Sequence, residues 1–191
     1  MAKRNNTDYD THYDNLFSRN VNFRERIIYI SDDIDEWSAD VFQKAFDELD
    51  KEPSKPIRVE ISSYGGAVYD MLGMVDRIKA SPCHIITRGL GKIMSAATFI
   101  LSAGDERIMG KNSWYMVHEL SSWAVGKLKD LKIELKHLER LEDQCNNLYE
   151  EFSNRGVSAK KFEQMCKKDC YLTAKEVLEL GLIDKIEGEN E

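Results

Sequence analysis

Strand and helix alternate three times at short intervals along the first half of this chain, and that alternation constrains the fold more than any other feature. Arg26-Ile27-Ile28-Tyr29-Ile30 is a β-branched and aromatic run that reads as a strand. Ser38 then reads as the N-cap of a helix whose apolar positions are Val41, Phe42, Ala45, Phe46 and Leu49. Pro53 and Pro56 punctuate the next loop, and Ile57-Arg58-Val59-Glu60-Ile61 alternates as a half-buried strand does. That strand ends at Ser62-Ser63-Tyr64-Gly65-Gly66, and a helix carrying Val68, Met71, Leu72, Val75 and Ile78 follows. Cys83 to Thr87 is the third strand, with Gly89 and Gly91 as its end, and a short helix begins after Ser95. Arg107-Ile108-Met109 and Trp114 to Val117 are further short strands. Strands linked through helices lie parallel, so the expected class is α/β.

The second half changes character. From Val125 to Asn154 the apolar residues are Leu128, Leu131, Leu135, Leu138, Leu141, Cys145, Leu148 and Phe152, spaced by three and four. This predicts one long amphipathic helix of about 45 Å, ended by Gly156. Such a helix either packs wholly on its own domain or overshoots it, and its length favours an apolar stripe that needs a second subunit. A short helix from Ser158 follows. Thr173-Ala174-Lys175-Glu176 is a capping box that opens a last helix ending at Gly181.

A chain of 191 residues with a formal charge of -7 suits one domain and argues against a nucleic-acid-binding surface. The polar residues 1 to about 22 read as a mobile arm, and residues 23–191 as the domain. The N-terminus lacks the apolar segment of a secretion signal, and no apolar run spans a membrane, so a cytoplasmic location is expected. Cys83, Cys145, Cys166 and Cys170 form no disulfide framework. Cys166 and Cys170 are four apart, which suits half a metal site but also two reduced thiols, and the second reading leaves no metal or cofactor expected.

Four short stretches carry the chemistry. Ser95 falls where a glycine turn runs into a small-residue helix start, a place that favours developing negative charge but also suits an ordinary N-cap. His118 ends an apolar strand, as a general base or as a satisfied core histidine. Gly65-Gly66 sits at a strand-to-helix turn, able to offer backbone N–H groups or simply to supply positive φ. Asp169 precedes Tyr171-Leu172, as the third member of a triad or as a solvated acid.

Together these stretches resemble the Clp protease proteolytic subunit family and the related phage-type proteases, from about Arg26 to Asp184. The similarity runs through Phe23 to Ile30, Ser62 to Gly66, Ala67 to Asp70, Met94-Ser95-Ala96 to Ala103-Gly104, Tyr115 to His118, Lys168 to Ala174, and Leu180 to Asp184. It implies stacked ββα units of the kind shared with crotonases, and a protruding handle helix at about 125–154. It implies Ser95 as nucleophile, His118 as general base and acid, Asp169 as the residue orienting His118, and the N–H groups of Gly66 and Ala96 as the oxyanion hole. It further implies polypeptide substrates and self-association into heptameric rings, stacked in pairs through the handle. Departures fall at Ile93 and Met94 before the serine, at Glu119-Leu120 where the family has Gln-Pro, and at Tyr64 where it has proline.

No Gly-x4-Gly-Lys-Ser/Thr occurs, since Gly91-Lys92 is followed by Ile93. The resemblance therefore implies a serine endopeptidase that draws unfolding work from a separate AAA+ unfoldase. A phage head-maturation protease acting on capsid or scaffold proteins is the alternative, and a crotonase-like acyl-CoA enzyme a remote one.

Overall fold

The computed structural model describes residues 6–189. The first five residues of the expected arm, and the last two of the domain, lie outside them. In chain order the elements are α1 (Asn6–Arg19), β1 (Val21–Asn22), β2 (Ile27–Ile30), α2 (Glu36–Leu49), β3 (Ile57–Ser63), α3 (Val68–Ala80), β4 (Ile85–Met94), α4 (Ala96–Ser102), β5 (Glu106–Gly110), β6 (Trp114–Val117), α5 (Leu128–Phe152), α6 (Ala159–Cys166), β7 (Cys170–Thr173), α7 (Ala174–Glu179) and β8 (Lys185–Glu187). The segment read as a polar arm is thus helical over Asn6–Arg19.

The strands form one mostly parallel sheet in the order β1-β2-β3-β4-β5-β8. Among the described residues, only the β1–β2 and β6–β7 pairs are antiparallel. β4 is the hinge of this arrangement. Its first half pairs with β5 from Ile86↔Glu106 to Gly89↔Met109, and its second half pairs with β6 from Lys92↔Trp114 to Met94↔Met116. The glycines expected to end this strand instead bend it. Gly91 takes a φ of +74°, and the β3–β4 register slips between Ile61↔Gly89 and Ser63↔Ile93. A bulge of this kind re-aims a strand without ending it, and here it delivers the chain to Ser95.

One further expectation is corrected. The N-cap of α2 is Asp35, not Ser38. The Asp35 carboxylate accepts from the Ser38 N–H at 2.8 Å, and the Ser38 hydroxyl accepts from the Asp35 N–H at 2.9 Å. Ser38 is the far half of a capping box, so Glu36 and Trp37 join the helix. The Thr173–Glu176 capping box at the start of α7 forms as expected.

The core lies between the sheet and its covering helices, and Phe42, Phe46, Ile57, Met71, Ile85, Ile93 and Phe162 are fully buried there. α5 has 25 residues, about 37 Å of helix. Only its C-terminal half enters this core, through Leu141, Asn146, Tyr149 and Phe152. Leu128, Ile133 and Leu135 remain exposed at 70%, 61% and 57%, so the helix does overshoot its own domain.

One buried charge ties the end of α5 to the sheet. Arg107, 6% exposed, donates to both carboxylate oxygens of Asp184, at 2.9 and 2.6 Å, and to the Phe152 carbonyl at 2.6 Å. Burial pushes the Asp184 carboxyl up, but the hydrogen bonds and charge of Arg107 outweigh it and hold the group below the usual carboxylate range. Because the folded-state pKa is depressed, this stabilisation is present above the unfolded value and is lost as pH falls through the folded one. Arg107→Met should cost about 1–3 kcal/mol at neutral pH, by removing the charged donors to Asp184 and to the Phe152 carbonyl. The cost should shrink below about pH 4, where Asp184 is neutral in the unfolded chain. Urea unfolding of both proteins across pH 3–7 measures this, and a cost that is flat with pH would remove the ion pair from the explanation.

Candidate active site

Ser95 sits between the last residue of β4 and the first of α4. Its backbone has a φ of 53° and a ψ of -126°, a region that costs a non-glycine residue about 1–3 kcal/mol. The surroundings impose it. The Ser95 N–H donates to the Met116 carbonyl of β6 at 2.8 Å, and its carbonyl accepts from the Thr98 N–H at 3.0 Å. The Thr98 hydroxyl also meets that carbonyl and shares a hydrogen bond of 2.6 Å with the Tyr149 hydroxyl of α5. A strained strand-to-helix turn is a general means of presenting a nucleophilic hydroxyl at a surface.

His118 follows β6 directly. Since β6 pairs with the second half of β4, the histidine is carried to the serine. His118 Nε2 lies 2.8 Å from Ser95 Oγ, within hydrogen-bond reach for proton transfer. Both residues are half-buried.

The diglycine turn closes the other side. Ile34 donates to the Gly65 carbonyl at 2.8 Å and accepts from the Ala67 N–H at 2.7 Å, so the bridge spends the groups on either side of the Gly66 N–H. Neither the Gly66 N–H nor the Ala96 N–H at the start of α4 is engaged in a hydrogen bond among the described residues. Both glycines are required by contact. A Cβ on Gly65 would lie 2.8 Å from the Ser95 Cβ, and one on Gly66 would lie 2.1 Å from the Ile34 carbonyl oxygen.

Asp169 is placed beside the pair but is not joined to it. The antiparallel β6–β7 ladder runs from Trp114↔Thr173 to Val117↔Cys170, and His118 and Asp169 are the residues just beyond its last pair. The Asp169 side chain is exposed and makes no hydrogen bond or ion pair with His118. The structure therefore brings Ser95, His118, Gly66 and Ala96 together and sets Asp169 at the adjoining register position.

A cavity of about 70 Å³ opens beside Ser95 and His118. Met71, Phe99 and Tyr149 give it apolar walls, while Glu119 and Glu142 line it as acids. Burial pushes the Cys145 and Cys166 thiols in this cavity up to about 11 and about 12, with Glu142 adding to both. They stay protonated at neutral pH, so they do not compete with the serine as nucleophiles. Cys166 and Cys170 are free thiols, and no cluster of three or more metal-ligating side chains forms among the described residues.

Sequence reading missed Thr98, Tyr149 and Asn146. Tyr149 and Asn146 lie next to the stripe at Cys145, Leu148 and Phe152, and their burial widens that stripe toward the site. The three-and-four spacing of 142, 145, 146, 149 and 152 held this signal.

A family model of Clp proteases matches residues 10–190. The chain is also 31% identical, over 178 residues, to the ATP-dependent Clp protease proteolytic subunit of Porphyromonas gingivalis, covering 92% of this chain and 78% of that one. The chain belongs to the Clp protease family. It is a peptidase, and its mostly parallel sheet with a projecting helix agrees with that fold.

Proposed function

We propose that the chain is a serine endopeptidase working through Ser95, His118 and Asp169, as the proteolytic subunit of an ATP-dependent protease. The observation that carries this reading is the 2.8 Å contact of His118 Nε2 with Ser95 Oγ on a strained turn flanked by two unspent N–H groups. Ser95 Oγ attacks the scissile carbonyl carbon while His118 Nε2 takes its proton. The carbonyl oxygen becomes an oxyanion and receives hydrogen bonds from the Gly66 and Ala96 N–H groups, each worth about 3–4 kcal/mol of barrier lowering. The tetrahedral intermediate collapses as His118 returns the proton to the leaving amine. Water, deprotonated by His118, then releases the acyl group from Ser95. Asp169 orients the imidazole through Nδ1 and stabilises its charged form. Its bond to His118 closes in the substrate-bound assembly, as catalytic hydrogen bonds commonly tighten on binding.

The exposed apolar part of α5, with Trp123 and Val125 just before it at 87% and 76% exposed, is the surface through which rings of this chain meet. Enclosure of the sites admits short peptides and excludes folded proteins, so an AAA+ partner supplies the unfolding. None of the described helices is long and apolar enough to cross a membrane, and the site of action is the cytoplasm.

The purified protein should hydrolyse short peptides alone and degrade a stably folded protein only with a cognate unfoldase and ATP. Efficient cleavage of the folded substrate without any ATPase would defeat this reading. Cleavage confined to an assembled capsid or scaffold protein would favour head maturation instead.

A further inference from the structure

The cavity beside Ser95 holds polar groups that its own fold leaves unused. Asn146 is 7% exposed and lines the cavity, yet its side-chain amide makes no hydrogen bond to another described residue. No fully buried side-chain N or O atom among the described residues lacks a partner, so the amide must reach open space rather than lie sealed in the core. Glu142, one turn earlier on α5, is half-buried, lines the same cavity and has no cation beside it. Glu119 stands at the same cavity, and among the described residues none that is basic lines it apart from His118. Burial first and the Glu142 charge after it push up the Cys145 and Cys166 thiols that line the same cavity.

These groups discriminate among side chains. A leucine side chain seated here would cover the Asn146 amide and leave it desolvated and unpaired, a penalty that apolar contact only partly offsets. An acidic side chain would meet two carboxylates of like charge. A long aliphatic stem ending in a cation satisfies both features, since such side chains bury the stem and keep the head among polar groups.

We propose that Asn146 and Glu142 set the preference of the cleavage site, so that this chain cuts preferentially after lysine and arginine. The stem lies along Met71, Phe99 and Tyr149, and the head donates to the Glu142 carboxylate and the Asn146 side-chain carbonyl. This rests on Ser95 being the nucleophile whose acyl partner carries that side chain.

Fluorogenic tripeptides differing only in the residue before the cut, with lysine, arginine, glutamine, leucine or aspartate there, test it. Rates are normalised to Ser95 titrated with a fluorophosphonate. Lysine and arginine should exceed leucine in kcat/KM by about tenfold, with aspartate lowest. Glu142→Gln should bring the lysine-to-leucine ratio near unity, and Asn146→Leu should raise the leucine-to-glutamine ratio. A general packing defect would lower all rates together and leave these ratios in place, so unchanged ratios in both variants would overturn the proposal. Leucine exceeding lysine in the unaltered protein, with Ser95 titrating normally, would overturn this preference alone. Failure of Ser95 to titrate and of every peptide to be cut would overturn the peptidase assignment and this proposal with it.

Discussion

Ser95→Ala is expected to lower kcat for peptide hydrolysis by about 10⁴-fold or more, and His118→Ala by a similar factor, because the two act as one unit in the bond-breaking step. The strained backbone at residue 95 is fixed by the Met116 carbonyl, Thr98 and the β4–β6 pairing rather than by the serine hydroxyl. Ser95→Ala should therefore melt near the unaltered protein. Asp169→Ala should cost about 10³–10⁴-fold in kcat, with little change in KM, since it acts through the imidazole and not on the peptide. Combining Ser95→Ala with His118→Ala should add almost nothing. Steady-state kinetics on one fluorogenic peptide separates these outcomes. Near-normal turnover by Asp169→Ala would remove that residue from the triad, and additive losses in the double variant would break the unit apart.

If rings of this chain meet through α5 as proposed, Leu135→Asp should separate the paired rings while leaving the single chain folded. Leu135 is 57% exposed, so within one chain a charge there costs at most about half a kcal/mol. Across an apolar contact between two stacked rings, the same charge is buried at every copy, with a penalty of several kcal/mol each time. Native mass should fall to about half, that of a single ring, with circular dichroism unchanged. Leu141→Asp is the contrast, because Leu141 is 5% exposed in the domain's own core and its replacement should unfold the chain. A single-chain mass for the unaltered protein under active conditions would contradict the assembly.

Much of this was legible in the sequence where physical chemistry acts locally. The alternation in Ile57–Ile61 and the three-and-four spacing in Val68–Ile78 are local patterns, and each became the expected element. The Thr173–Glu176 capping box is similarly self-contained. What failed to show was set by tertiary pairing. Gly89 and Gly91 look like a strand end in isolation, and only the presence of both β5 and β6 beside β4 turns them into a bend. β1 and β8 have two and three residues, too short for any periodicity to mark, and Cys170–Thr173 of β7 is not the apolar run that marks β2. β7 matters most among these, because its last pair with β6, Val117↔Cys170, adjoins both His118 and Asp169. At the site, Ser95 and His118 were readable as a pair from their motifs. Asn146 was marked by its spacing alone, since a polar residue on an amphipathic helix looks solvated until the fold buries it.

The central claim is that Ser95 Oγ is a nucleophile activated by His118. A fluorophosphonate probe, with the adduct located by peptide mass spectrometry, tests it most directly. The account predicts one adduct, on Ser95, and its loss in both Ser95→Ala and His118→Ala under conditions where each variant remains folded. An adduct on another serine, or undiminished labelling of Ser95→Ala, would contradict it.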